Sequence, residues 1–125
     1  MHKEFSYIHH HPLIEIVLIG PNERLKMLAL LDSGADYSLF NLEVAERLGI
    51  RRETSEKVEL QGVVGEPFLG YLHRVPVQVA DKVFTCNIVF SSVKTTLLGR
   101  DNFFLPFLVT FNEKEQKVSL KELES

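Results

Sequence analysis

The chain has 125 residues, 45% of them hydrophobic and 25% charged, and its 14 lysines and arginines stand against 17 aspartates and glutamates for a net charge of −3. That is the composition of one globular domain over residues 1–125, able to bury a core without disulfides, and no basic block is present to track a phosphate backbone. Nucleic acid is therefore no expected partner, no apolar run approaches the roughly 18 residues of a spanning helix, and the lone Cys86 permits neither an intrachain disulfide nor a multi-cysteine metal site. The first dozen residues mix charges, aromatics and histidines without the apolar core of a signal peptide, so a cytoplasmic address is expected.

In chain order, Pro12 to Gly20 reads as a strand, Pro21-Asn22 as a turn, and Leu25 to Leu31 as the returning arm of a first hairpin. That arm runs directly into Asp32-Ser33-Gly34-Ala35-Asp36, small and polar residues that make a tight loop at a strand end. Asn41 is placed to cap a short helix over Leu42 to Leu48, whose apolar residues Leu42, Ala45 and Leu48 recur every three positions and which Gly49 ends. Val58 and Leu60 alternate with Glu59 and Gln61, Gly62-Val63-Val64-Gly65-Glu66-Pro67 forms a glycine-bearing tip, and Phe68 to Leu72 extends again. A second hairpin pairs Val75, Val77 and Val79 with Val83 to Phe90 across Asp81-Lys82. Thr95 to Leu98 reads as a short strand ended by Gly99, Arg100 to Leu105 as about one helical turn before Pro106, and Leu108 to Leu120 as a last polar-tipped hairpin. The expected class is mainly β with one or two short helices, without repeat or linker.

The chemistry concentrates where Leu30-Leu31 precede Asp32, followed by the hydroxyl of Ser33, Gly34 and Ala35. Downstream, Leu97-Leu98-Gly99-Arg100 gives a second apolar-apolar-Gly element, and the glycine-bearing tip lies between the two. These three elements, in this order, resemble the retropepsin-like aspartic protease family over approximately Leu13 to Phe104. The resemblance implies a small closed-barrel-like β fold and a homodimer in which each copy supplies one catalytic aspartate, Asp32, to a protein or peptide substrate. It further implies that Ser33 locks the two loops across the two-fold axis and that Gly34 presents backbone to the substrate within the loop completed by Ala35. By the same resemblance Asp36 and the flap residues Gly62, Val63, Val64 and Gly65 contact substrate, Gly99 packs behind the catalytic loop, and Arg100 pairs with Asp36 beside the subunit interface. It implies no metal and no cofactor. A bilobal enzyme carries two such motifs in a chain over twice as long.

The need for a pair is chemical. Hydrolysis without metal or covalent intermediate requires one group to take a proton from water and another to give one to the carbonyl, and two close carboxylates share a single proton because both cannot ionise. Activity at mildly acidic pH follows. Serine at 33 is an accepted variant of the family motif, while the sequence departs from the family in a tip made less glycine-rich by Glu66 and Pro67, and in stretches before Leu13 and after Phe107 that exceed the retroviral pattern.

Blander readings stand beside these. An Asp-Ser-Gly turn is ordinary, the Gly62 to Gly65 tip can be a plain hairpin, His9-His10-His11 reads as a solvated segment, and His73 as an edge or surface residue. Cys86 reads as a buried structural thiol, and Phe103, Phe104, Phe107 and Phe111 as core or interface. The alternative function is a non-catalytic dimerisation or peptide-binding module of the same fold, and a metal site on Asp32 and Asp36 lacks ligands.

Overall fold

Alternating burial builds the first hairpin. In the computed structural model, which describes residues 1–61 and 65–124, strand β2 (Leu13–Ile19) buries Ile14, Ile16 and Leu18 and pairs antiparallel with β3 (Arg24–Leu31) from Leu13↔Leu30 to Ile19↔Arg24. A first strand, β1 (His2–Ser6), precedes them. Chain order continues with β4 (Ser38–Asn41), α1 (Leu42–Leu48), a 3₁₀ turn at Arg52–Thr54, β5 (Glu56–Leu60), β6 (Phe68–Val79) and β7 (Lys82–Ser91). The last elements are β8 (Leu97–Leu98), β9 (Phe107–Asn112) and β10 (Lys117–Glu122).

The larger sheet runs β2-β3-β8-β4-β7-β6-β5, and a further pairing of β2 with β6 at Val17↔Gln78 and Leu18↔Val77 curls it toward closure, as the resemblance implies. The smaller sheet, β1-β10-β9, is antiparallel throughout. Phenylalanines join the two: the ring of Phe84 on β7 lies 5.5 Å from Phe103 and 5.6 Å from Phe107 at the start of β9. Phe103 and Phe107 are buried and Phe104 and Phe111 pack against the core, so the aromatic cluster is interior; each ring so buried contributes about 1.5–3 kcal/mol.

Helix α1 has the bounds its local signals predict. The Asn41 side chain accepts the Glu43 N–H at 2.9 Å, and Gly49 ends the helix in the left-handed region at φ 84°. Three features differ from expectation. Phe68 to Leu72 and Val75 to Val79 form one strand, β6, unbroken by Pro76. On one edge β6 pairs β5 through residue 72 and β2 from residue 77, so residues 73–76 are unpaired there, where a proline is tolerated. Arg100 to Leu105 makes no helical turn. Asp101 bridges to Tyr37, and the Asn102 side chain accepts the Asn87 N–H at 2.7 Å and donates to the Thr85 carbonyl at 3.1 Å, holding the segment onto β7 as a series of turns. Strand β1 is the third: its partner β10 lies over a hundred residues away, and only Phe5 turns partly inward, so no local pattern marks it.

Candidate active site

The Asp32 loop is held by backbone bonds to a distant segment. β3 lies parallel to β8, with Leu30 opposite Leu97 and Leu31 opposite Leu98, and the Asp32 N–H donates to the Leu98 carbonyl at 3.0 Å. The loop then turns back on itself, Ala35 N–H to the Asp32 carbonyl at 3.2 Å, while Arg100 N–H bonds the Ala35 carbonyl at 3.0 Å and Asp101 N–H the Asp36 carbonyl at 2.8 Å. The two apolar-apolar elements read from the sequence are thus adjacent in space, one behind the other. Gly99 is buried against Tyr37, and a Cβ there would overlap the Tyr37 carbonyl, which makes glycine obligatory.

Within this frame the Asp32 carboxylate is oriented. Its Oδ1 accepts the Gly34 N–H at 2.9 Å, and no other hydrogen bond reaches it among the described residues. Asp32 is half-buried, while Ser33 and Gly34 are exposed beside it. One such carboxylate can take a proton from a water molecule, but a single copy offers no acid partner to return one. Asp36 and Arg100 form an ion pair at 2.7 Å; with side chains 75% and 60% exposed, it is worth about 0–1 kcal/mol to a lone chain.

Two supporting residues escaped the sequence reading. Ser38 is fully buried, and its Oγ accepts the Gly99 N–H at 3.1 Å. Period-two alternation in β4 places Ser38 on the inward face with Phe40, and an inward hydroxyl demands a partner; that signal was available. Asn102, which anchors the segment after Gly99 to β7, carried no local signal.

The remaining candidates lie elsewhere. Gly62, Val63 and Val64 fall outside the described residues; Gly65 is exposed in the β5–β6 connection at φ 102°. Cys86 is buried against Ser38, and desolvation pushes its thiol up to about 12 despite the Ser38 hydroxyl, so no thiolate nucleophile exists at neutral pH. His73 is half-buried on the stretch of β6 left unpaired along one edge, in keeping with the edge or surface residue expected, with Nδ1 3.2 Å from the Ser55 hydroxyl. His9 and His10 occupy a tight turn at φ 50° and 66°, His10 meeting the Gln116 side chain at 3.0 Å. No cluster of three metal-ligating side chains occurs among the described residues, and the carboxylates of Asp32 and Asp36 already hold Gly34 and Arg100.

Comparison with known proteins agrees with this geometry. The family model described as aspartyl protease matches residues 17–101. Among solved structures, the chain is similar to a retropepsin-like aspartic protease from Rickettsia conorii, with a TM-score of 0.72 at 14% identity over 96% of this chain and 98% of that one. It is also similar to the EIAV protease complexed with the inhibitor HBY-793, with a TM-score of 0.58 at 22% identity over 78% of this chain and 88% of that one. No curated protein matches it. The matched span runs from β2 through the Asp32 loop to Asp101, and it shows that this chain, built on the retropepsin-like fold, belongs to the aspartyl protease family of peptide-bond hydrolases.

Proposed function

We propose that the protein is an endopeptidase whose active site forms between two copies, each supplying Asp32. The observation that carries this reading is the Asp32 loop, fixed by β8 and the Gly34 N–H yet offering one oriented carboxylate where the reaction needs two. One Asp32 takes a proton from water as the water oxygen bonds to the scissile carbonyl carbon, and the Asp32 of the other copy donates a proton to the carbonyl oxygen. The tetrahedral adduct then collapses with cleavage of the C–N bond, and the amine leaves with a proton from the dyad. Charge repulsion separates the two titrations of the pair and favours mildly acidic pH. Ser33 spans the two-fold, Arg100 supports Asp36 beside it, and Gly65, with Gly62, Val63 and Val64 that lie outside the described residues, contacts an extended peptide.

The test is Asp32→Asn, assayed by mass measurement of fragments from unfolded protein at several pH values. Cleavage falls by a factor of about 10²–10⁴, with circular dichroism unchanged. Full retained cleavage removes Asp32 from the mechanism, and a wild-type chain that binds extended peptides without cutting them is a binding module.

A further inference from the structure

Strand β6 changes partner along one of its edges, and the change leaves a gap. That edge pairs with β5 up to Leu72 and with β2 from Val77, so no strand is paired there to residues 73–76 among the described residues. The other edge fixes which way the backbone points. The Asn102 side chain takes the Asn87 N–H and the Thr85 carbonyl, so both residues of β7 face away from β6, and the residues opposite them, Arg74 and Pro76, face away from β7 and into the gap. The Arg74 N–H, the Arg74 carbonyl and the Pro76 carbonyl therefore have no backbone partner among the described residues.

The gap opens on a depression of about 320 Å³, lined there by Ile19, Gly20, Pro21, Ile50, His73 and Val75. Four residues of strand span about 13 Å, room for a segment of three or four residues. Its charge is uneven, in a chain whose net charge is −3. At the β2 end Arg74 is exposed and Arg24, opposite Ile19, donates to the Gln78 side chain at 3.0 Å; neither guanidinium is in an ion pair among the described residues. At the β5 end Glu56 stands opposite Leu72, and Glu53 holds Arg51. Leu98, Arg100 and Asp101, which bond the Asp32 loop, lie outside this lining.

We infer that the gap docks a short extended segment of another protein, added as a strand between β2 and β5, with acidic residues opposite Arg74 and Pro76 and an apolar residue between them. Backbone complementarity sets the pairing: the segment residue opposite Arg74 exchanges two hydrogen bonds with it, and the residue opposite Pro76 donates one to its carbonyl. Directly opposed side chains share a face of the sheet. The two acidic residues thus stand on the face that carries Arg74 and Gln78 with its Arg24, and the apolar residue turns inward with the buried Val75, onto Ile19 and Ile50. Carboxylates are the complement because both arginines at that end lack one, whereas a basic segment would add like charge. The inference uses no property of Asp32 and is independent of the shared-dyad reading.

The probe is the peptide acetyl-Gly-Glu-Ile-Glu-Gly-amide, with acetyl-Gly-Lys-Ile-Lys-Gly-amide beside it. Both are titrated by NMR into the wild type and, so that cleavage cannot interfere, into Asp32→Asn. The glutamate peptide shifts the His73, Arg74 and Val75 amides saturably and slows exchange at Arg74 at least about tenfold, while Leu72 and Gln78, which already face β5 and β2, keep their rates. Arg74→Glu weakens its binding at least about tenfold, and the lysine peptide binds at least about tenfold more weakly to the unaltered site. Should Arg74→Glu not fold, the amide protection and the peptide pair decide the matter. Equal binding of the two peptides, unchanged exchange at Arg74 under saturation, or no saturable shift at about 10 mM peptide overturns the inference and leaves Arg74 and Pro76 as residues that merely blunt an edge. Shifts confined to the Asp32 loop make the peptide a ligand of the substrate site and overturn it as well. Whether Asp32→Asn cuts bears on the dyad alone, so the two readings fail separately.

Discussion

The Asp32 loop and the terminal sheet solve opposite problems. Around Asp32, backbone groups of residues 32–36 find partners in Leu98, Arg100 and Asp101, and a buried serine completes the set at Gly99. In β9, alternate backbone groups find none among the described residues. One region finishes its geometry inside the chain, and the other leaves its hydrogen bonding open. The proposed shared site needs each half to be rigid before assembly, and the first region supplies that rigidity within one chain.

The comparison breaks most severely at Gly99. Gly99→Ala forces a methyl into the Tyr37 carbonyl, so β8 and the Asp32 loop separate, with a loss of about 1–3 kcal/mol and activity per folded chain falling in parallel. Thermal unfolding followed by circular dichroism reads the first, and cleavage at matched folded concentration the second.

Ser38→Ala tests the same frame more gently. It leaves the buried Gly99 N–H without an acceptor, at a cost of about 1–3 kcal/mol, and creates only a small void, so denaturant midpoints shift while the strand content stays. An unchanged midpoint would mean that the bond contributes nothing to the weave.

Arg100→Ala moves from the frame toward the assembly. Because the Asp36 pair is largely solvated in one chain, monomer stability changes by less than about 1 kcal/mol. In the proposed two-copy assembly its solvent is reduced, so activity per chain is expected to decline at higher protein concentration than in the wild type. Superimposable dilution curves for the two proteins would remove Arg100 from the interface.

The smallest effect lies at Glu122, at the end of β10. Hydrogen bonds from Lys82 at 2.8 Å and the Met1 amino group hold the Glu122 carboxyl below its ordinary value. A depressed folded value contributes stability above the unfolded one, near 4.5, and loses it as pH falls through the folded value. Lys82→Gln returns the Glu122 carboxyl upward in an NMR titration, removes the stability that its depression supplies above pH 4.5 and so flattens the acid limb, leaving the Asp32 loop untouched.

Legibility in the sequence followed the range of the forces. The Asn41 cap and the Gly49 stop fixed α1 because both act within one turn, and the β2–β3 hairpin was legible through alternation and the Pro21-Asn22 turn. The Asp32 and Gly99 elements were legible as motifs, but not the bonds that join them. The expected helical turn at Arg100 to Leu105 failed because the Asn102 side chain, bonded to β7, outweighs one turn of local preference. β1 was missed because its order comes from β10 alone.

By itself, then, the sequence determined the mainly β class, the bounds of helix α1 and the position of the carboxylate, since periodicity, capping and motif order are local properties of the chain. Only the tertiary structure decided that Ser38 satisfies Gly99, that Asn102 ties the turns leading into β9 onto β7, and that β9 rather than β1 keeps an open, uncharged edge. Each of those depends on which distant backbone group lies within about 3 Å of which other, and no spacing along the chain encodes that distance.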